Sequence, residues 1–124
     1  MNKKNFKVTV NTRYLNEQSQ PEKSRFVHAY DIAISNAGSE TAQLISRKWH
    51  IIDANNEVQE IQGMGVIGEQ PTLEPGQSYS YTSGVVIATD TGTMTGSYTM
   101  RTPEGEEFET DIPMFALVKP SALH

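Results

Sequence analysis

Apolar and polar side chains alternate one for one along most of this chain, the period of strands that lie with one face on a core and the other in water. Phe6, Val8, Val10, Thr12 and Tyr14 interleave with Lys7, Thr9, Asn11 and Arg13. After the polar connection Ser19-Gln20-Pro21-Glu22-Lys23 the spacing returns at Phe26, His28, Tyr30, Ile32 and Ile34, then stops at Ser35-Asn36-Ala37-Gly38-Ser39. Residues 44–53 set Ile45, Trp49 and Ile51 on one face and Leu44 and Ile52 on the other, which predicts a strand covered in part on both sides. Asp53-Ala54-Asn55-Asn56-Glu57 turns the chain, asparagine being one of the few non-glycine residues that tolerate a positive φ.

Glycine and proline punctuate the second half. Glu74-Pro75-Gly76-Gln77 carries Pro and Gly at the central positions of a type II turn. Behind it Tyr79, Tyr81 and Ser83 alternate with Ser78, Ser80 and Thr82; Thr91-Gly92 marks the next turn, and Met94, Gly96, Tyr98 and Met100 line one strand face. Pro103-Glu104-Gly105-Glu106 predicts a hairpin into Phe108, Thr110 and Ile112, with Pro113 bending the chain before Phe115 and Leu117. No window has the spacing of an amphipathic helix. About seven or eight short strands with turn signals roughly every 8–12 residues predict an all-β antiparallel sandwich of two sheets, with a small closed barrel as the alternative.

A length of 124 residues suits one domain, 1–124, able to bury roughly two-thirds of its unfolded surface without staples. With no cysteine there is no disulfide, thiolate nucleophile, iron–sulfur cluster or Cys-based zinc site, and a reducing, cytoplasmic setting is expected. The amino terminus alternates where a signal peptide needs an apolar run, so mature protein is expected from Met1. Nor is any apolar stretch near the about 18 residues of a spanning helix, so no membrane association is expected. A net charge of -5 argues against binding a phosphate backbone, hence against nucleic acid as partner. Residues 1–52 carry eight basic and four acidic side chains and residues 53–124 two and eleven, so the halves should attract wherever the fold interleaves them.

Gln62-Gly63-Met64-Gly65-Val66-Ile67-Gly68-Glu69-Gln70-Pro71 contains G-x-G-x-x-G. No helix can start properly at Glu69-Gln70-Pro71, and Glu69 puts a negative charge where a pyrophosphate would sit, so a dinucleotide fold is not expected. Two readings stay open: a loop that needs glycine dihedrals to cross between sheets, or a nest of amides from Gly63, Gly65 and Gly68 that takes a small anion. His28, His50 and His124 form no i, i+2 or i, i+4 pair; His28, among Phe26, Tyr30 and Ile32, is expected as a hydrogen-bonded histidine at the core's edge. Glu104, Glu106, Glu107, Glu109 and Asp111 lack the spacing of a calcium loop and read as a solvated strand face. Tyr81-Thr82-Ser83-Gly84 has no base nearby in sequence and there is no G-x-S-x-G elbow, so no catalytic residue, metal site or cofactor is assigned.

The run Gly65-Val66-Ile67-Gly68-Glu69-Gln70-Pro71, followed by Leu73, Pro75-Gly76, Tyr79, Tyr81-Thr82-Ser83-Gly84, Gly92-Thr93-Met94, Gly96-Ser97-Tyr98 and Met100, resembles the ApaG family. The likeness extends upstream through Trp49 and Ile52-Asp53-Ala54 and downstream through Gly105, Phe108, Ile112-Pro113 and Phe115. Asp90 stands where the family pattern has a proline, and Asn55-Asn56 replaces a turn that usually holds glycine. The resemblance implies an immunoglobulin-like or fibronectin type III-like sandwich. It also implies an association with cobalt and magnesium tolerance and with a neighbouring diadenosine tetraphosphate hydrolase gene, without an established reaction, and a likeness to substrate-recruiting domains of some F-box proteins. The expectation is therefore a non-enzymatic module for a protein partner. Its alternative is a sensor of phosphate compounds or divalent cations centred on Gly63, Gly65, Gly68, Glu69 and Gln70, with Thr82, Ser83 and Gly84 beside it.

Overall fold

A computed structural model describes residues 4–120. Its strands are β1 (Phe6–Tyr14), β2 (Phe26–Asn36), β3 (Ala42–Asp53), β4 (Val58–Met64), β5 (Thr72–Leu73), β6 (Ser78–Ile87), β7 (Thr91–Arg101) and β8 (Glu107–Val118). β1, β2 and β6 form one antiparallel sheet in that order; the other runs β4-β3-β7-β8, with the short β5 also paired to β3. The fold is thus an all-β sandwich, the architecture that the alternation predicts. Ile32, Ile34, Leu44, Trp49, Ile51, Met94, Tyr98, Met100, Ile112 and Leu117 fill the space between the sheets, each at most 2% exposed.

The expected turns form where special dihedrals are cheapest. Gly76 has φ +86° and the Gln77 amide donates to the Glu74 carbonyl at 2.9 Å, while Asn56 has φ +63° and Gly105 φ +93°. One sequence expectation is corrected, and one strand is added. Thr91-Gly92 opens β7 rather than turning the chain, the bend lying at residues 88–90. Val58–Met64, which has no clean alternation, forms the edge strand β4 because the backbone of β3 supplies its hydrogen bonds. Among the described residues no helix is long and apolar enough to cross a membrane.

The edges are treated differently. β8 carries Glu107, Glu109 and Asp111 exposed along it, with a register shift opposite Met94–Gly96 that accommodates Pro113. Of the ion pairs, Lys4–Glu106 at 2.7 Å joins the basic and acidic halves, whereas Arg13–Asp31 and Arg101–Glu107 lie within one half each.

Candidate functional site

A break in register on β3 sets up the site. Leu44 pairs with Met100 and Ser46 with Thr99, so Ile45 is an extra residue bulged out of the β3–β7 ladder. A bulge reverses which face the following side chains take. Ala42 and Leu44 point into the core before it, and Trp49 and Ile51 after it. The reading that set Leu44 and Trp49 on opposite faces is therefore corrected. The same reversal turns Arg47, in phase with Trp49, toward the space between the sheets, cross-strand from Tyr98 and Gly63.

The glycine loop holds this arrangement. The Gly65 amide and the Gln70 Nε2 both donate to the Ile45 carbonyl, at 2.8 and 2.9 Å, pinning the bulge. Arg47 Nη1 donates to the Gly65 carbonyl at 2.8 Å and to Met64 at 3.3 Å. A Cβ on Gly63 would lie 2.8 Å from the Arg47 guanidinium nitrogens, and one on Gly65, whose φ is +64°, 2.3 Å from the Glu69 carbonyl. Backbone approach and a positive φ account for glycine at Gly65, whereas at Gly63 a side chain would displace the tip of Arg47. Val66 and Glu69 exchange two backbone hydrogen bonds, at 2.8 and 2.9 Å, across Ile67 (φ +48°) and Gly68 (φ +75°), which makes a tight hairpin turn of type I′. The amides of Gly65, Val66 and Glu69 are thereby spent on protein carbonyls. Ile67 is unusual: holding a β-branched residue in the left-handed region costs about 1–2 kcal/mol, and at 58% exposure burial does little to offset that cost.

Across from this turn stands β6. Tyr30, Arg47, Val66, Ile67, Tyr81, Thr82 and Ser83 line a cleft of about 390 Å³ that opens between the edges of the two sheets. The fold thus brings the glycine loop and the Thr82-Ser83 pair together. Gln62 and Gly63, by contrast, belong to β4, and Gly84 lies on β6 outside the cleft lining. Beneath the cleft the Tyr81 and Tyr98 hydroxyls share a 2.5 Å hydrogen bond. Burial pushes both phenols well above the ordinary tyrosine value, the nearby Arg47 charge opposing the rise in each, so both stay protonated through the neutral range. Thr82 Oγ1 donates to Asp31 Oδ1 at 2.6 Å, and this bond, together with the Arg13 guanidinium whose hydrogen bond is the larger effect, holds the Asp31 carboxyl below its usual value.

The histidines lie elsewhere. His28 is 1% exposed, and its Nε2 has no hydrogen-bond partner among the described residues, which corrects the expectation of a hydrogen-bonded ring; burial lowers its pKa, and the Tyr14 ring packs edge-on at 5.3 Å. His50 faces Glu60 at 3.4 Å on the surface, and His124 lies outside the described residues. Among the described residues no three His, Cys, Asp or Glu side chains gather as a metal group. Arg47 is the site residue that sequence reasoning passed over. Its signal was an arginine in the phase of Ile45, Trp49 and Ile51, a charge at an otherwise apolar position.

The sequence matches the ApaG domain over residues 16–102. It is 55% identical over 117 residues to Protein ApaG of Pseudomonas putida strain W619, covering 94% of this chain and 93% of that protein. With Protein ApaG of Thiobacillus denitrificans the identity is 52%, covering 94% and 92%. The crystal structure of the Bordetella pertussis protein designated ApaA superposes with a TM-score of 0.90 at 45% identity, covering 94% of each chain.

Proposed function

The chain belongs to the ApaG family, and from that premise we propose that it is a non-catalytic, cytoplasmic binding module whose ligand is a segment of another protein. The observation that carries this reading is the cleft itself: a solvent-open recess with an inward-turned arginine at its floor and a strained, exposed isoleucine on its rim. Strain of this kind persists where the surrounding structure over-determines it, and it concentrates at functional surfaces. Gly63, Gly65 and Gln70 act by shape, holding the bulge and the turn, while Thr82 and Ser83 form the opposite wall. The division into three strands facing the larger sheet supports a fibronectin type III-like subclass, a scaffold that presents loops and edges to partners. Cobalt and magnesium tolerance would then be exerted through the partner.

A photo-crosslinking residue at Thr82, compared with one at the exposed Glu104 on the β7–β8 hairpin, tests the reading in the native host. A discrete protein adduct at Thr82 and none at Glu104 is expected; equal capture at both, or no adduct at Thr82, would overturn it. A second reading has one observation in its favour: Arg47 with the Ser83 hydroxyl is a donor pair suited to a phosphate. Melting with pyrophosphate, a dinucleoside polyphosphate, Mg²⁺ and Co²⁺ tests it, since a ligand at 100 times its Kd stabilises by about 2.7 kcal/mol. Unchanged melting throughout excludes it.

A further inference from the structure

The outer edge of β6 pairs with no strand among the described residues. Gln77 accepts from the Asn36 amide of β2, whereas Val86 accepts from Gln59 Nε2 on the opposite side. Antiparallel pairing alternates bonded and outward-facing residues, so Ser78, Ser80, Thr82 and Gly84, in phase with Val86, direct their N–H and C=O groups away from β2. All four are exposed. Natural edges are guarded by charge or proline. β1 has Lys7 and Arg13, β4 has Glu60, and β8 has three acids and Pro113; β6 has neither charge nor proline across Ser78–Ile87. Gly84 adds to this: its φ lies outside the left-handed range and a Cβ there would meet nothing closer than 3.6 Å, so neither dihedral nor internal packing requires glycine. Glycine inside a strand commonly marks the close approach of another backbone.

Resting on the binding-module reading, we infer that β6 takes an extended peptide segment as a further strand of the β1-β2-β6 sheet, and that this segment places an Asp or Glu side chain on Arg47. Inward-facing side chains of an added strand lie beside Tyr81 and Ser83, which line the cleft with Arg47. The hydrogen bonds of Arg47 to Met64 and Gly65 use Nη1, so Nε and Nη2 have no protein acceptor among the described residues, and no carboxylate pairs with Arg47 there. A carboxylate is the group whose geometry fits that fork. Charge also argues against a second copy. Two β6 edges meeting about a two-fold axis would bring two Arg47 side chains to one seam with no acid on either strand to answer them.

The test is selection of a phage-displayed random-peptide library on the full chain, followed by an amide-resolved NMR titration with the best synthetic peptide. Enriched peptides should carry Asp or Glu and lack proline around it. Binding should protect the amides of Ser78, Ser80, Thr82 and Gly84 from exchange, weaken by roughly tenfold or more on Arg47→Gln, and vanish with Ser80→Pro, which removes an outward N–H at an edge position where proline is tolerated, the NMR spectrum away from β6 staying intact. No enrichment, enrichment without acids, unprotected β6 amides, or a chain that dimerises alone through those amides would each overturn the inference. A Thr82 crosslink to a protein alongside unprotected β6 amides would sink strand addition while leaving the module reading standing; loss of both would sink both.

Discussion

Removing the Tyr81 hydroxyl alone should cost at least as much as removing both hydroxyls of the Tyr81–Tyr98 pair. The two oxygens lie 2.5 Å apart, Tyr98 is fully buried and Tyr81 9% exposed. Net of water, the bond itself contributes about 1 kcal/mol, but a buried hydroxyl deprived of its partner costs about 1–3 kcal/mol in desolvation. Tyr81→Phe strands the Tyr98 hydroxyl deep in the core and should destabilise by about 2–3 kcal/mol. Tyr98→Phe leaves the Tyr81 hydroxyl beside the open cleft, where water can reach it, and should cost about 1 kcal/mol. The double variant strands neither group, so its loss should stay near or below that of Tyr81→Phe alone, a coupling of roughly 1–2 kcal/mol in the double-mutant cycle. Urea denaturation of the four proteins measures this directly, the slope staying constant if the native and unfolded states keep their compactness. Additive losses, within about 0.5 kcal/mol, would refute the reasoning and mean that each hydroxyl finds a partner without the other.

Three further outcomes follow from buried groups. Burial lowers the native pKa of His28 below the 6.5 of an exposed ring, so below that pH the unfolded chain binds the extra proton; stability should hold above about pH 7 and fall as pH drops through 6.5, at a limiting slope of about 1.4 kcal/mol per pH unit. His28→Phe should abolish that segment of the urea-midpoint profile between pH 7 and 5, and an unchanged profile would exclude His28 as its source. Gly96→Ala would set a Cβ against the Lys48 carbonyl and 3.0 Å from the Trp49 ring, forcing β3 and β7 apart at the centre of the core; a loss of about 3 kcal/mol or more is expected by thermal melting, and a wild-type Tm would contradict the packing. Asn36, 2% exposed, donates to the carbonyls of Glu40 and Leu73 and accepts from the Gly38 amide. Asn36→Ala should cost about 2–4 kcal/mol by urea midpoint, whereas a loss under about 0.5 kcal/mol would mean that water replaces the side chain.

The layers of this protein are written in local pattern. Alternation at Phe26–Ile34 and Phe108–Ile112, and turns at Gly76, Asn56 and Gly105, depend on local dihedral preference and on the two-residue period of a pleated strand, both properties of short stretches of chain. The ApaG likeness was legible for the same reason, being carried by runs such as Gly65–Pro71 and Tyr81–Gly84. Phase and partnership came from long-range pairing. The bulge at Ile45 depends on β7 pairing on one side and on Gly65 and Gln70 bonding its carbonyl from a loop 20 or more residues away, so the local pattern could put Arg47 in phase with Trp49 but could not announce the break that sets Leu44 on the same inner face or the cleft that Arg47 enters. β4 is a strand because β3 completes its hydrogen bonds. The glycines that looked like an anion cradle spend the amides of Gly65, Val66 and Glu69 on protein carbonyls, and their consequence is the shape of a cleft whose other wall comes from β6. Local sequence sets which face a strand prefers, but long-range hydrogen bonds set where its register breaks, and here the candidate site lies at that break.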